Sequence, residues 1–306
     1  MRMPRKREVA ALLLYYSGVV HLVALLRRKS NRGGPIFLTG HRVLPAAAAA
    51  ADPVDRMALL SRHAITPQEL EQRLAFLQRW IAPAGDPVEL RGGIPKRRAF
   101  YLTFDDGYLD NLNHAAPVLE RVGVRAVIFL VADLVAHPKA SPWWDRWGGE
   151  ALRGTDRAAD AVEAYNRRCA DAKKSCTGLT DADLAEAPAR RYLTQAEVDA
   201  LPEVFYPANH TKAHANLCAL DERQIAEHVA AGEAPLARHP RRLPVLAFPF
   251  GSHDARVLQC LRRSECYRAA FATGGGVALD PLRARRINFN VAGMPMFAAQ
   301  CAGLLR

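Results

Sequence analysis

The chain has 306 residues, is 50% hydrophobic and 24% charged, and carries a formal charge of +11 at pH 7. The length suits two average domains or one α/β barrel, and the composition excludes a disordered tail, a collagen-like fibre or a polytopic membrane protein. The excess charge is local: the first 32 residues hold eight basic side chains against the single acid Glu8, which leaves only +4 for the rest and argues against a nucleic-acid-binding body.

Within this basic start, residues 9–26 form an apolar stretch interrupted by Ser17, Gly18 and His21. Its length stands at the lower edge for crossing a bilayer, and basic clusters flank both ends. Three readings stay open: a helix packed on the body, a helix lying in a membrane interface, and a single span. Arg27-Arg28-Lys29 follows Leu26 where a small-residue cleavage site would stand, so no cleavable signal peptide is recognised. The expected location is cytoplasmic or peripheral on a membrane, with membrane-surface contact through residues 1–32. The six cysteines form no C-x-x-C pair and read as reduced thiols, although their even count leaves disulfides open.

A strand is expected at 36–39, and residues 45–63, with the Ala run 46–51, read as a loop. Thr66-Pro67-Gln68-Glu69 then supplies an N-cap, a proline at the first helical position and a glutamate at the third. Leu70, Leu74, Leu77 and Ile81 share one face of the helix so started, which Pro83 ends. Further strands are expected at 100–104, 126–132, 245–248, 269–273 and 287–291, and helices at 110–122, 195–200, 221–231 and 254–263. Strands alternating with helices indicate an α/β fold with a largely parallel sheet. Residues 137–191 break that rhythm and read as a partly helical insertion over one face. Its Trp143, Trp144 and Trp147 suit either a sugar-binding surface or anchors that pin the insertion down. The domain reading is a basic, apolar helical segment over 1–34 followed by one domain over 35–306.

Three segments carry chemistry. In Thr103-Phe104-Asp105-Asp106-Gly107-Tyr108 an apolar strand ends in two adjacent carboxylates, at the end of a parallel strand where active sites form. Such a pair repels itself unless a cation or a proton separates the two roles. In His210-Thr211-Lys212-Ala213-His214 the spacing places two imidazoles on one side of a helical turn, close enough to share a metal. With Asp106 they make a His-His-carboxylate set suited to zinc and other divalent transition metals. In Phe248-Pro249-Phe250-Gly251 a strand ends in an irregular backbone able to turn N–H groups toward a ligand.

These segments, in this order, resemble the polysaccharide deacetylases (NodB homology, carbohydrate esterase family 4) over roughly residues 98–291, with the insertion set aside. The resemblance implies a distorted (β/α) barrel and a metal-dependent hydrolase that removes an acetyl group, above all the N-acetyl of an amino sugar, from a polysaccharide or glycoconjugate. Carried over by position, Asp105 is the catalytic base, and Asp106, His210 and His214 hold one divalent metal, zinc by expectation, with cobalt, nickel or iron also suited. The backbone at Phe250, with Pro249 and Tyr108 beside it, faces the substrate and the oxyanion. The family's late histidine is missing, because none follows His253. In members similar to the poly-N-acetylglucosamine deacetylases the equivalent histidine lies on an early strand, and Leu38-Thr39-Gly40-His41 is similar to that segment, with Gly40 in place of the usual tyrosine. His41 is therefore the expected general acid, with His253 as competitor. Arg285 or Arg286, as strand neighbours, has to point inward and could orient Asp105. Two other readings remain: an inactive carbohydrate-binding or membrane-associated protein, and a hydrolase of another C–N amide bond on the same fold.

Overall fold

The structure is a computed structural model and describes residues 6–30, 34–155, 157–274, 280–291 and 293–305. Seven parallel strands close into one barrel. In chain order they are β1 (Ile36–Gly40), β2 (Phe100–Phe104), β3 (Ala126–Leu130), β4 (Phe205–Asn209), β5 (Val245–Ala247), β6 (Ala269–Thr273) and β7 (Ala284–Asn288). Each pairs with the next, and β7 returns to β1 with Phe37 opposite Arg286 and Thr39 opposite Asn288. The alternation of side chains divides the strands cleanly. Phe37, Tyr101, Val127, Phe129, Val245 and Phe271 fill the barrel, while Leu38, Phe100, Leu102, Ile128 and Phe205 pack outward against helices. Toward the C-terminal strand ends the inward positions turn polar, and there Thr39, Thr103, Asp105 and Arg286 are all buried.

Two strands depart from expectation. β4 was hidden by Pro207, which argues against an interior strand. Its carbonyl accepts from Leu243 N, so its missing N–H faces the same neighbour, and that ladder is barely formed: β4 pairs with β5 only at Asn209 opposite Leu246. The last strand runs over 284–288 rather than 287–291, because its inward position is the charged Arg286 instead of an apolar residue.

The interval 45–63 is not a plain loop. Asp52 accepts from Val54 N and caps a helix, Pro53–Leu60, with Pro53 at its first position. After it His63 leads into Ala64–Ile65, which pairs with Arg42–Val43 in a small two-stranded ribbon. The capping boxes at Thr66 and Thr194 form as read, as do the caps at Asp221 and Asp254. The apolar N-terminal stretch is two helices, Lys6–Tyr16 and Val19–Lys29, that meet at 71°. Gly18 makes the break with φ 81°, and Ala11, Val20 and Ala24 join the main core. Among the described residues no single helix is long and apolar enough to cross a membrane.

Between β3 and β4 the chain builds the helices Trp143–Arg153 and Ala158–Ser175. The first packs against Pro53–Leu60 so closely that a Cβ on Gly148 would come within 3.1 Å of Met57. All six cysteines are free.

Candidate active site

Asp105 follows β2 in the inward register, and its N–H is held by the Gly40 carbonyl of β1 at 3.0 Å. Two neighbouring aspartates on an extended chain would point to opposite faces. Asp106 escapes this with a left-handed φ of 74°, and Gly107 follows at 75°. A side chain at Gly107 would bring its Cβ to 2.9 Å from Leu130, so the turn requires glycine.

The adjacent carboxylates then live in different surroundings. Arg286, fully buried, donates to both oxygens of Asp105 at 2.6 and 2.8 Å and to Thr103 Oγ1 at 2.9 Å. Thr39 Oγ1 donates to the same carboxylate at 3.2 Å. Burial pushes the Asp105 carboxyl up, but the Arg286 guanidinium, with His210 and His41 nearby, outweighs it and holds Asp105 below the usual range. Asp105 is thus ionised and fixed in orientation. Arg285, its strand neighbour, faces solvent.

Asp106 instead faces the two histidines. Its Oδ1 lies 3.4 Å from His210 Nε2 and 3.3 Å from His214 Nε2, is buried, and has no hydrogen-bond partner. His210 Nδ1 donates to the Ala247 carbonyl at 2.9 Å, which leaves the lone pair of Nε2 pointing at the gap. Three donor atoms converge here around no proton that suits them all. Tetrahedral ligands about 2.0–2.1 Å from a zinc ion stand about 3.3 Å apart, and the observed spacings match. The donor set therefore fits a divalent cation. It is also the cluster among the described residues whose metal-ligating atoms lie within 4.8 Å of one another.

The histidines reach this geometry by a route other than the expected one. Residues 210–214 are not helical: Thr211 and His214 are left-handed, at φ 70° and 52°. Asn209 fixes the loop, with Oδ1 accepting from Thr211 N at 2.6 Å and Nδ2 donating to Val229 O at 2.9 Å. Of the six non-glycine residues with positive φ among those described, Asp106, Thr211, His214 and Phe250 all belong to this site. Strain of this kind costs roughly 1–3 kcal/mol per residue and collects where function needs it.

The remaining expected residues surround the trio. Phe250, at φ 59°, sets its ring edge-on to His214 with centroids 4.6 Å apart, and Pro249 before it is buried. Tyr108 lines the cavity, and its hydroxyl accepts from Trp144 Nε1 at 3.0 Å and donates to Asp145. His41 borders the cavity and His253 does not; the latter stacks on Phe248 and bonds Gly251 O. The space left by Gly40 is occupied by Asn290 and Phe104.

Three further residues join the site: His63 and Asp145, which the sequence reading does not pick out, and Trp144, which it reads as part of a sugar-binding surface or an anchor. His63 stands 5.7 Å from His41, ring to ring, and its enclosed position together with His41 pushes its pKa down to about 3. Trp144 covers His214 at 4.9 Å, and Asp145 accepts from Tyr192 at 2.9 Å. Both come from the insertion, and Trp144, bonded to Tyr108 and set over the His214 ring, ties it to the barrel mouth.

Residues 92–165, which hold β2 and the paired aspartates, match the family model for polysaccharide deacetylase. Over that stretch the chain resembles the polysaccharide deacetylases of NodB type. A stretch of 43 residues is 42% identical to YxkH of Bacillus subtilis, a protein named as a polysaccharide deacetylase; the match spans 14% of this chain and 15% of that relative. Among solved structures, the Streptococcus pyogenes deacetylase PplD, in complex with acetate, aligns with a TM-score of 0.56 and 16% identity over 84% of this chain and 92% of its own. IcaB from Ammonifex degensii aligns at 0.54 and 19% over 89% and 96%. These likenesses show that the barrel shares the fold of those two structures.

A prediction follows for the Asp106, His210 and His214 donor set. Titration of the chelator-stripped chain with zinc should give one tight site. Asp106→Ala and His214→Ala should each weaken it by about 100-fold or more, since even second-shell changes cost 10–100-fold, whereas His253→Ala should leave it unchanged.

Proposed function

We propose that this chain is a metal-dependent hydrolase that removes the N-acetyl group from an N-acetylated amino sugar of a polysaccharide or glycoconjugate. The observation that carries the reading is the division of labour between neighbouring carboxylates: Asp105 is locked by Arg286, and Asp106 converges with His210 and His214. A divalent cation held by Asp106, His210 and His214, zinc by preference, would polarise the acetyl carbonyl and acidify the attacking water. Asp105, ionised and close by, takes the water's proton as it attacks. The backbone N–H of Phe250 donates to the oxyanion that develops on the carbonyl oxygen. His41 then protonates the departing amine, which is a very poor leaving group otherwise. Acetate and a free amino sugar result.

The test is acetate release from a short N-acetylglucosamine oligomer by chelator-stripped protein, before and after zinc or cobalt is added. Release only with metal supports the reading, and none with any metal bound overturns it. His41→Ala should lower turnover by about 100-fold or more while metal affinity holds, and His253→Ala should stay near wild type. The reverse ranking would reassign the general acid.

The N-terminal helix pair supports a peripheral membrane location. Leu13 and Tyr16 are 67% and 78% exposed, and Leu12, Val19, Leu22 and Leu26 are exposed beside them. Lys6, Arg7 and Lys29, also exposed, add the charge that attracts anionic headgroups. The protein should sediment with vesicles containing phosphatidylserine and much less with neutral ones. Leu13→Asp/Leu22→Asp should release it, and unchanged sedimentation would dismiss this contact.

A further inference from the structure

Lys173 reaches the active-site cavity from the insertion helix Ala158–Ser175. The cations around it on that helix have acids of their own: Arg167 pairs with Glu163, Arg168 with Glu150 and Lys174 with Asp171. Lys173 instead holds its ammonium over the Phe250 ring, 5.7 Å from the centroid, and is half-buried there. The same ring lies 4.6 Å from that of His214. Those two distances laid end to end are the farthest the ammonium can stand from the His214 ring, about the length of a disaccharide. The other charges on the cavity wall all have partners. Arg286 holds Asp105, the two histidines face Asp106, and Tyr108 and Tyr192 bond Asp145. Asp110 and Asp55 hold Arg42, and Glu69 holds Arg62. Among the described residues the Lys173 ammonium has neither an ion pair nor a hydrogen bond.

The surroundings add to that charge. Arg42, also on the wall, leaves its Nη1 buried and without an acceptor. Burial first, and then the positive neighbours His41, Lys173 and Arg42, push the His63 imidazole down, with Asp106 acting against them. The wall that carries His63, Lys173 and Arg42 is therefore electropositive, and Lys173 supplies its unengaged donor. An ammonium half-shielded from water and lacking a counter-ion acts on a ligand more strongly than one on an open surface. The hydroxyls of a neutral sugar would offer it ordinary acceptors, whereas a carboxylate or phosphate would form a stronger charge-assisted bond. We propose that Lys173 determines specificity by selecting an acetylated sugar that carries an anionic group, a carboxylate or a phosphate, on itself or on the adjoining unit. The proposal rests on the activity proposed above and names the substrate class of that same site.

The test compares charged and neutral substrates in pairs on the full-length, zinc-loaded protein. N-acetylglucosamine 6-phosphate is set against N-acetylglucosamine, and a disaccharide of glucuronate and N-acetylglucosamine against the N-acetylglucosamine dimer. In at least one pair the charged member should have a kcat/KM higher by about tenfold or more, mainly through KM, the size expected of a hydrogen bond to a charged group. The pair that shows the preference identifies phosphate or carboxylate as the group read. Lys173→Gln should abolish the preference, while Lys173→Arg and the neighbouring Lys174→Gln should keep it. Each ratio is taken on one sample, so partial loss of folded protein cancels. Acetate release with no preference in either pair, or a preference that Lys173→Gln leaves intact, overturns the proposal and leaves the deacetylase activity standing. Calorimetry with the same pairs on zinc-loaded Asp105→Asn gives a readout that needs no turnover. No acetate from any substrate, with the anionic ligands still bound about tenfold tighter and that margin lost on adding Lys173→Gln, would fail the activity and keep the anion site. Equal binding of charged and neutral ligands would overturn the anion site by itself.

Discussion

Asp105→Asn should lower the rate of acetate release about a thousandfold with zinc affinity unchanged, as read by steady-state kinetics beside zinc titration of the same variant. The two effects separate because the adjacent carboxylates have separate tasks. Asp106 Oδ1 stands in the ligand trio, whereas both Asp105 oxygens are turned to Arg286 and Thr39. An amide in place of the Asp105 carboxylate cannot take up the water's proton, and general-base catalysis is commonly worth 10²–10⁴-fold. It also offers one acceptor where Arg286 needs two, so its orientation degrades as well. The outcome that would overturn this assignment is a variant that loses zinc and activity together, since Asp105 would then be a ligand and the division between the two aspartates would be wrong.

The barrel was legible wherever an apolar run stood alone, as at 100–104 and 269–273, because burial on both sides of a parallel strand leaves a near-continuous hydrophobic signature. It was illegible where a strand carries a residue chosen for something other than burial. Arg286 displaced the bounds of β7 because a charge interrupts the apolar run that marks a buried strand, even where one of the two arginines is expected to face Asp105. Pro207 concealed β4 because the missing N–H does harm only if the neighbouring strand is fully paired there. Asp52-Pro53 was a readable helix start, masked by the alanines before it.

The site divides in the same way. Asp105, Asp106, His210 and His214 announced themselves by type and spacing, yet the spacing was read through the wrong local structure. A helix brings side chains four apart onto one face by its pitch, whereas here two left-handed residues and the Asn209 bridge do so. His63 and Asp145 had no such signal, and Trp144 stood out with Trp143 and Trp147 without any sign of its place over His214. Each sits on an element whose position depends on tertiary packing, which brings the insertion and the segment before the small ribbon up to the site.

Arg286→Met should be the most destabilising single change near the site, at about 3–5 kcal/mol, because it leaves the Asp105 carboxylate buried without its partner. In a chain of this size that corresponds to a melting temperature lower by roughly 10 °C. Activity should change in its pH dependence as well as its size. With Arg286 gone, burial prevails and the Asp105 pKa rises, so the base is lost to protonation at a higher pH and the acid limb of the rate profile moves upward. The sign for stability follows from the same shift. In the wild type the folded-state pKa of Asp105 is depressed, so the pair contributes fully above the ordinary carboxylate range and is lost as pH falls through the folded value. Arg286→Met should therefore differ most from wild type near neutral pH and approach it in acid. Replacing both partners, as Asp105→Leu/Arg286→Met, removes the unpaired charge and should recover much of the melting temperature with no activity, since a well-packed apolar pair often matches a buried ion pair in stability. If the double variant melts no higher than Arg286→Met, the loss arises from the packing of the long Arg286 side chain in the barrel and not from the stranded carboxylate. Recovery of stability without recovery of turnover would show that this chain keeps a buried ion pair in its barrel for the base it orients.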